Sequence, residues 1–406
     1  MLRTTAAVVI LLAALGCDDG DKPLTMIPGD APAAAGSAEP NLAVGPDGRV
    51  WLTWIERADS LHAVKAAARD DRGTWKQPVT IVARNDLFVN WADFPSMAVL
   101  PNGDLVVHWL QRSGPGTYSY DVKIARSTDG GATWSNPLSP HRDSTRTEHG
   151  FASMFPLAAD SVGAIWLDGR KYDTTRAPGT KEMMLVSTSI AANGSAGEEK
   201  HVDERICDCC QTSMALTAAG PVVVYRDRTT DEIRDIYITR RENGRWSAGK
   251  PVHDDRWNVT YCPVNGPAVS ARGNRVVVAW FTAARDTARV HVAFSEDAGA
   301  TFAEPIRVDE GNPAGRVDVE LDPSGKTAWV TWLERSGGDT AAVKLRRVRP
   351  GKAPGEVTVV ASSSGARASG FPRMARAGDS LYFAWTEPGS PPQVKFARAV
   401  VPRRSR

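Results

Sequence analysis

The chain has 406 residues, with 49 Lys and Arg against 47 Asp and Glu. A balance this close gives no support for a nucleic-acid or polyanion partner, which would call for a basic surface. Thirty-five Gly, 27 Pro and 13 Trp among short Val-rich runs predict an all-β protein with many turns.

The first segment is a leader. Arg3 precedes the apolar run Ala6 to Leu15, followed by Gly16-Cys17. This is a charged start, a short apolar stretch and a small residue at a cut. The stretch is too short to span a bilayer as a transmembrane helix. Leu15-Gly16-Cys17 resembles a bacterial lipoprotein box. The resemblance implies a signal peptide over 1–16, lipidation of Cys17 and a short tether over 17–21. It also implies a membrane partner through that lipid, and a place in the bacterial cell envelope facing the periplasm or the exterior. No later stretch is apolar for long enough to cross a membrane, and 403–406 form a basic tail.

A repeat follows the tether. Its marker is a strand ending in an aromatic residue, as at Trp54, Trp109, Trp166, Tyr225, Trp280, Trp332 and Trp385, with gaps of 52 to 59 residues. Each marker follows a short strand and a turn, such as Asn41 to Val44 before Pro46-Asp47-Gly48. Each precedes an alternating strand, such as Asp121 to Arg126 or Val290 to Phe294, and then a last short strand. Four antiparallel strands per repeat make a propeller blade.

Between the third and fourth strands, two repeats carry nearly the same string. Ser127-Thr128-Asp129-Gly130-Gly131-Ala132-Thr133-Trp134 returns as Ser295-Glu296-Asp297-Ala298-Gly299-Ala300-Thr301-Phe302. An aspartate can bond the backbone ahead of it, and the glycines can take positive φ, so the string predicts a tight turn. It resembles the Asp-box, the bacterial neuraminidase repeat of sialidase-like β-propellers. Seven markers predict one seven-bladed propeller over 22–402, with six blades, as in the sialidase catalytic fold, as the alternative. The last repeat lacks a fourth strand, and Lys22 to Ile27 reads as that strand, closing the ring.

In such a ring, the residues just after each marker and just before each first strand share one face. They include Asp93, Glu148, Asp168, Arg170, Arg226-Asp227-Arg228, Tyr261, Arg316, Arg335 and Arg367. Arginines gathered at one mouth suit a carboxylate or phosphate ligand. In sialidases an arginine triad grips the substrate carboxylate, a Tyr paired with Glu is the nucleophile, and an Asp is the acid. By loop position, that resemblance implies Arg170, Arg226 and Arg228 as substrate-binding residues, and Arg316 and Arg335 join them on the same face. Tyr261 is the nucleophile candidate, with Glu148 or Glu232 as its base and Asp93, Asp168 or Asp227 as the acid. A self-paired network of these charges is the competing reading. Trp91 and Trp257 lie between blades, where a sugar-stacking role is open to test.

Cys207, Cys209 and Cys210 precede one first strand and Cys262 the next. In an oxidising compartment four cysteines predict two disulfides, one joining Cys209 or Cys210 to Cys262. A zinc or copper(I) site of thiolates with His149 or His201 is the alternative. His62, His108, His141, His253 and His291 show no ligand spacing. No cofactor is expected. The expected function is a sialidase-like, glycan-directed propeller outside the cytoplasm that hydrolyses a terminal acidic sugar. The alternative is a non-catalytic propeller that binds a glycan or a protein partner through the same face.

Overall fold

The computed structural model describes residues 22–70, 72–173 and 181–402. The leader, Cys17, the tether and the tail 403–406 lie outside these residues. Seven antiparallel sheets form a ring, giving a seven-bladed β-propeller. The innermost strands, in blade order, are Ser37–Val44, Met97–Val99, His149–Pro156, Ser213–Thr217, Ala268–Arg272, Pro313–Leu321 and Arg373–Ala377. Blade 2 has three regular strands, and a single bridge from Ile124 to Leu138 stands where its fourth would run. The outer edge of blade 4 is split into Arg245–Trp246 and Lys250–Pro251.

The ends of the chain close blade 7 together. Met26–Gly29 pairs antiparallel with Gln393–Val400, Met26 lying opposite Ala399. The closing strand thus begins four residues later than Lys22. Pro23 has no N–H to give a ladder, and the Leu24 N–H is taken instead by Thr358 Oγ1 of blade 6, at 2.8 Å.

The aromatic markers fill the spaces between blades. Trp54, Trp166, Trp280 and Trp332 are fully buried, and truncating such a residue to Ala costs about 3–5 kcal/mol. A buried indole N–H needs an acceptor. Trp54, Trp166 and Trp332 find theirs two residues on, at Glu56 (3.1 Å), Asp168 (2.9 Å) and Glu334 (2.5 Å). Residues i and i+2 share a face of a strand, so the repeat supplies its own acceptor. Trp280 reaches Asp255 at 2.7 Å instead.

The two eight-residue turns share one network. Asp129 Oδ1 accepts from the Thr133 N–H at 2.9 Å, Asp129 Oδ2 from Thr133 Oγ1 at 2.5 Å, and Ser127 Oγ from the Gly131 N–H at 2.9 Å. Asp297, Thr301, Ser295 and Gly299 repeat these bonds at 2.9, 2.6 and 2.9 Å. The Thr133 hydroxyl and N–H hold the Asp129 carboxyl down at about 2.

Neighbouring blades are joined near the axis by a polar seam. In blades 1, 3 and 6 the innermost strand bulges, and Glu39, Phe151 and Arg316 take left-handed φ of 51°, 50° and 54°. Each bulged N–H is received by the preceding blade: Thr386 Oγ1 at 3.2 Å, Asp93 Oδ2 at 2.5 Å and Asn265 Oδ1 at 2.7 Å. Gln211 spans further, donating to Ala92 O at 2.5 Å while its Oε1 accepts from the Gly266 N–H at 3.0 Å.

Gly266 sits so close to this seam that a Cβ there would fall 2.2 Å from the Gln211 carbonyl oxygen. Gly266→Ala is therefore expected to destabilise the fold by about 1–3 kcal/mol, the usual cost of overpacking. Denaturant unfolding measures this, and a variant as stable as the parent would refute the tight seam.

Candidate functional site

A channel of about 220 Å³ runs between the innermost strands, touching residues of all seven blades from Asn41 to Arg373. Beside it opens a cleft of about 710 Å³, lined by segments that precede first strands. These include Phe88 to Ala92 before blade 2, Arg146 to Glu148 before blade 3, Asp208-Cys209 before blade 4 and Cys262 before blade 5. Arg367, before blade 7, and Tyr118 and Tyr172, from the connections after second strands, complete the wall. The cleft therefore lies on the face that the connectivity selects.

Glu148 lines the cleft. The Gly169 N–H holds its backbone carbonyl at 2.8 Å, and the Tyr120 hydroxyl donates to Oε1. Tyr120 is fully buried and stacks on Phe88 with ring centroids 3.9 Å apart. Gly150 makes room for this packing: a Cβ there would lie 2.8 Å from both Asp93 Oδ2 and the Tyr120 ring. Burial pushes the Glu148 carboxyl up to about 7, Asp208 and Asp93 add to the rise, and the Tyr120 hydrogen bond opposes it. Asp93, at the channel wall, is also raised to about 7 by burial, against the Phe151 N–H bond.

Asp208 is the second carboxylate of the cleft. Its Oδ1 takes Arg234 Nη1 at 3.3 Å and its Oδ2 takes the Tyr172 hydroxyl at 3.3 Å. Arg146 and Arg367 are exposed, line the cleft and form no ion pair among the described residues. Trp91 lines it too, stacked on Phe371 at 5.7 Å, with the Arg367 guanidinium 6.0 Å from its ring.

The arginines expected to bind substrate are engaged elsewhere. Arg170 makes a forked pair with Asp168, at 2.7 and 2.6 Å, and reaches Glu199 at 2.9 Å. Arg228 forks onto Glu232. Arg226 is buried over Trp257 and donates to the carbonyls of Asn265, Arg234 and Phe281. Arg316 donates to Ser369 Oγ and to the carbonyls of Gly370, Gly365 and Ala366, so it fixes the loop that carries Arg367. Arg335 is exposed and does not line the cleft. A buried guanidinium must satisfy its donors locally, and the charged residues after the markers do this among themselves.

The proposed acid–base residues divide in the same way. Glu148 lines the cleft, and Asp93 lies at the channel. Tyr261 is 66% exposed and not part of the cleft wall. Asp227 is buried and raised to about 7 by burial and the nearby Asp203 charge, but it does not line the cleft. Asp168 is sealed between Trp166 and Arg170. Trp257 lies under Arg226, away from the cleft. Tyr120, Arg146 and Asp208 were not singled out from sequence as site residues, although the rule of positions before first strands covers Arg146 and Asp208.

Of the two expected disulfides, one forms. Cys209 and Cys262 are bonded, Cα atoms 6.0 Å apart, and tie the loops before blades 4 and 5 at the cleft wall. Cys207 and Cys210 are instead buried thiols with sulfurs 3.3 Å apart. Against the effect of burial, the Cys210 contact and the Arg226 and Arg234 charges lower Cys207, whereas burial raises Cys210. His201 is exposed and pairs with Glu204 at 3.0 Å, so it does not join the thiols.

Among solved structures, the polysaccharide lyase Uly1 is similar with a TM-score of 0.52 at 10% identity, covering 92% of this chain and 91% of that one. A protein of unknown function from Dyadobacter fermentans gives 0.51 at 15%, covering 94% and 98%. The NanB sialidase from Streptococcus pneumoniae gives 0.44 at 13%, covering 93% and 70%. Identities this low speak to the fold alone. No family model matches the chain, and no curated protein matches it by sequence.

In the folded protein Glu148 keeps its proton up to about 7, whereas the ordinary value is 4.5. Its stabilising contribution is full below the unfolded value and is lost as pH rises through about 7. Glu148→Gln stays neutral, so its melting temperature is expected to fall less than the parent's between about pH 5 and 8. Tyr120→Phe removes the bond that opposes burial and moves the midpoint upward. Identical pH profiles for parent and Glu148→Gln would show an ordinary exposed carboxylate.

Proposed function

We propose that the cleft binds a glycan bearing an acidic group and that Glu148 is its proton donor. The observation that carries this reading is a carboxyl group raised to about 7 in a cleft with two arginines that form no ion pair among the described residues. A group titrating near neutrality suits general acid catalysis. Asp208 supplies the second carboxylate, and two carboxylates on one cleft are what most glycoside hydrolases use. Arg146 and Arg367 face the ligand's anionic group, and Trp91 and Tyr118 offer ring faces for sugar stacking.

The tyrosine hydrogen-bonded to Glu148 is buried behind it, so Tyr120 does not supply a sialidase-type nucleophile. Glu148 with Asp208 is the set we infer for hydrolysis of a terminal acidic sugar. The two turn strings are Asp-boxes in this reading. The engaged arginines favour a second reading, a propeller that binds an acidic glycan without cleaving it.

Aryl glycosides of acidic sugars, sialosides included, test the proposal together with direct glycan binding. Turnover that Glu148→Gln lowers by about 10²–10⁴-fold, with binding retained, is expected. Binding without turnover selects the second reading, and neither binding nor turnover rejects a glycan-directed cleft. We further propose that lipidated Cys17 anchors the propeller at the cell envelope. Cys17→Ala then moves the protein from the membrane fraction to the soluble one, and an unchanged distribution would exclude the anchor.

A further inference from the structure

Directly behind the cleft, three buried polar atoms converge with no hydrogen bond among them. Among the described residues, Asp121 Oδ1, His141 Nε2 and His149 Nδ1 have no hydrogen-bond partner. The carboxylate oxygen lies 3.6 Å from the first imidazole nitrogen and 3.9 Å from the second. The side chains of His141 and His149 are 5% and 0% exposed, and their rings stack at 3.9 Å.

The surrounding bonds set the tautomers. Asp143 Oδ1 takes the Nδ1–H of His141 at 3.1 Å, and Asp143 Oδ2 takes the Nε2–H of His149 at 3.3 Å. With a proton on each of those nitrogens, the neutral rings turn bare lone pairs toward Asp121 Oδ1. Lys123 Nζ holds the other oxygen of Asp121 at 3.1 Å and so leaves Oδ1 aimed inward. Two lone pairs and a carboxylate oxygen, all desolvated and facing one another, repel unless a ring proton or a metal ion lies among them.

We propose that Asp121, His141 and His149 form a binding site for a divalent transition-metal ion of the zinc class. Two imidazoles and a carboxylate are a zinc donor set. A carboxylate on the far nitrogen of each ring is the usual support of metal-bound histidines. Zinc–nitrogen bonds of about 2.0–2.1 Å require the donors to draw in by a few tenths of an ångström and the rings to leave their parallel stack.

The position suits a structural ion rather than a catalytic one. Asp121 and His149 directly follow Tyr120 and Glu148, which are bridged across the boundary of blades 2 and 3. Successive residues of a strand point to opposite sides. The ion therefore clamps the two blades from behind, holding in place the strand ends that present Glu148 to the cleft.

The test uses the full chain, stripped of metal with a chelator and titrated with zinc against a chromophoric competitor, then with cobalt(II). One equivalent of zinc, a raised melting temperature, and a cobalt spectrum without a thiolate charge-transfer band are expected. Asp143→Asn loosens both rings and lowers zinc affinity about 10- to 100-fold, while Asp121→Asn and His141→Ala lower it further. Asp121→Asn is isosteric, and circular dichroism confirms its fold should His141→Ala fail to fold. No zinc bound by the parent overturns the proposal, as does undiminished affinity in Asp121→Asn. A thiolate band that disappears in Cys207→Ser would place the ion at the cysteines and overturn it as well.

Discussion

Near the axis of the ring, the backbone cannot satisfy itself within one blade, and the rest of the structure depends on how that is solved. A bulge in an innermost strand turns an N–H out of its own ladder toward the neighbouring blade. Left unanswered, such a buried donor would cost about 1–3 kcal/mol, on top of about 1–3 kcal/mol for a left-handed non-glycine residue. Thr386, Asp93 and Asn265 answer the three bulged donors, and Asp318 answers the Met374 N–H between blades 6 and 7 at 2.9 Å. At these four boundaries one blade is thereby keyed to the next by a side chain rather than by a strand ladder. Burial of Trp54, Trp166, Trp280 and Trp332 adds apolar adhesion between blades.

This solution uses up much of the charge that a reading of loop positions assigns to ligand binding. Arg226 and Arg316 are the largest examples, since their guanidinium groups cap carbonyls that no strand reaches. Glu56, Asp168 and Glu334 serve the indoles two residues before them. What remains at the mouth is a smaller set, in which two arginines without ion pairs among the described residues share the cleft with two carboxylates. Asp208 is ion-paired to Arg234, whereas Glu148 is held by a neutral phenol and keeps its proton into the neutral range. Burial without a directly paired cation is what keeps the proton on Glu148.

The boundary between blades 2 and 3 carries chemistry on both sides of the same two strand ends. Tyr120 and Glu148 form its front, toward the cleft, and Asp121 and His149 its back. The geometry of the front is thus inseparable from whatever occupies the back. His141 and His149 are eight residues apart, with no ligand motif between them, and the packing of blade 3 against blade 2 brings Asp121 to complete the group.

By itself the sequence determined the blade count, the period, the closing strand and the turn network, because these follow from local patterns. An aromatic ends each second strand, and Asp129 and Asp297 bond residues four positions away. It also selected the face on which the cleft opens and placed Glu148 on that face. It could not distribute roles among equally charged neighbours, since a guanidinium such as Arg226 looks the same whether it ends on a ligand or on a carbonyl of the next blade. The tertiary structure decided that, and also which cysteines bond and which acceptors meet behind Glu148. Those outcomes depend on distances between residues one blade apart in the chain, which only the closed ring sets.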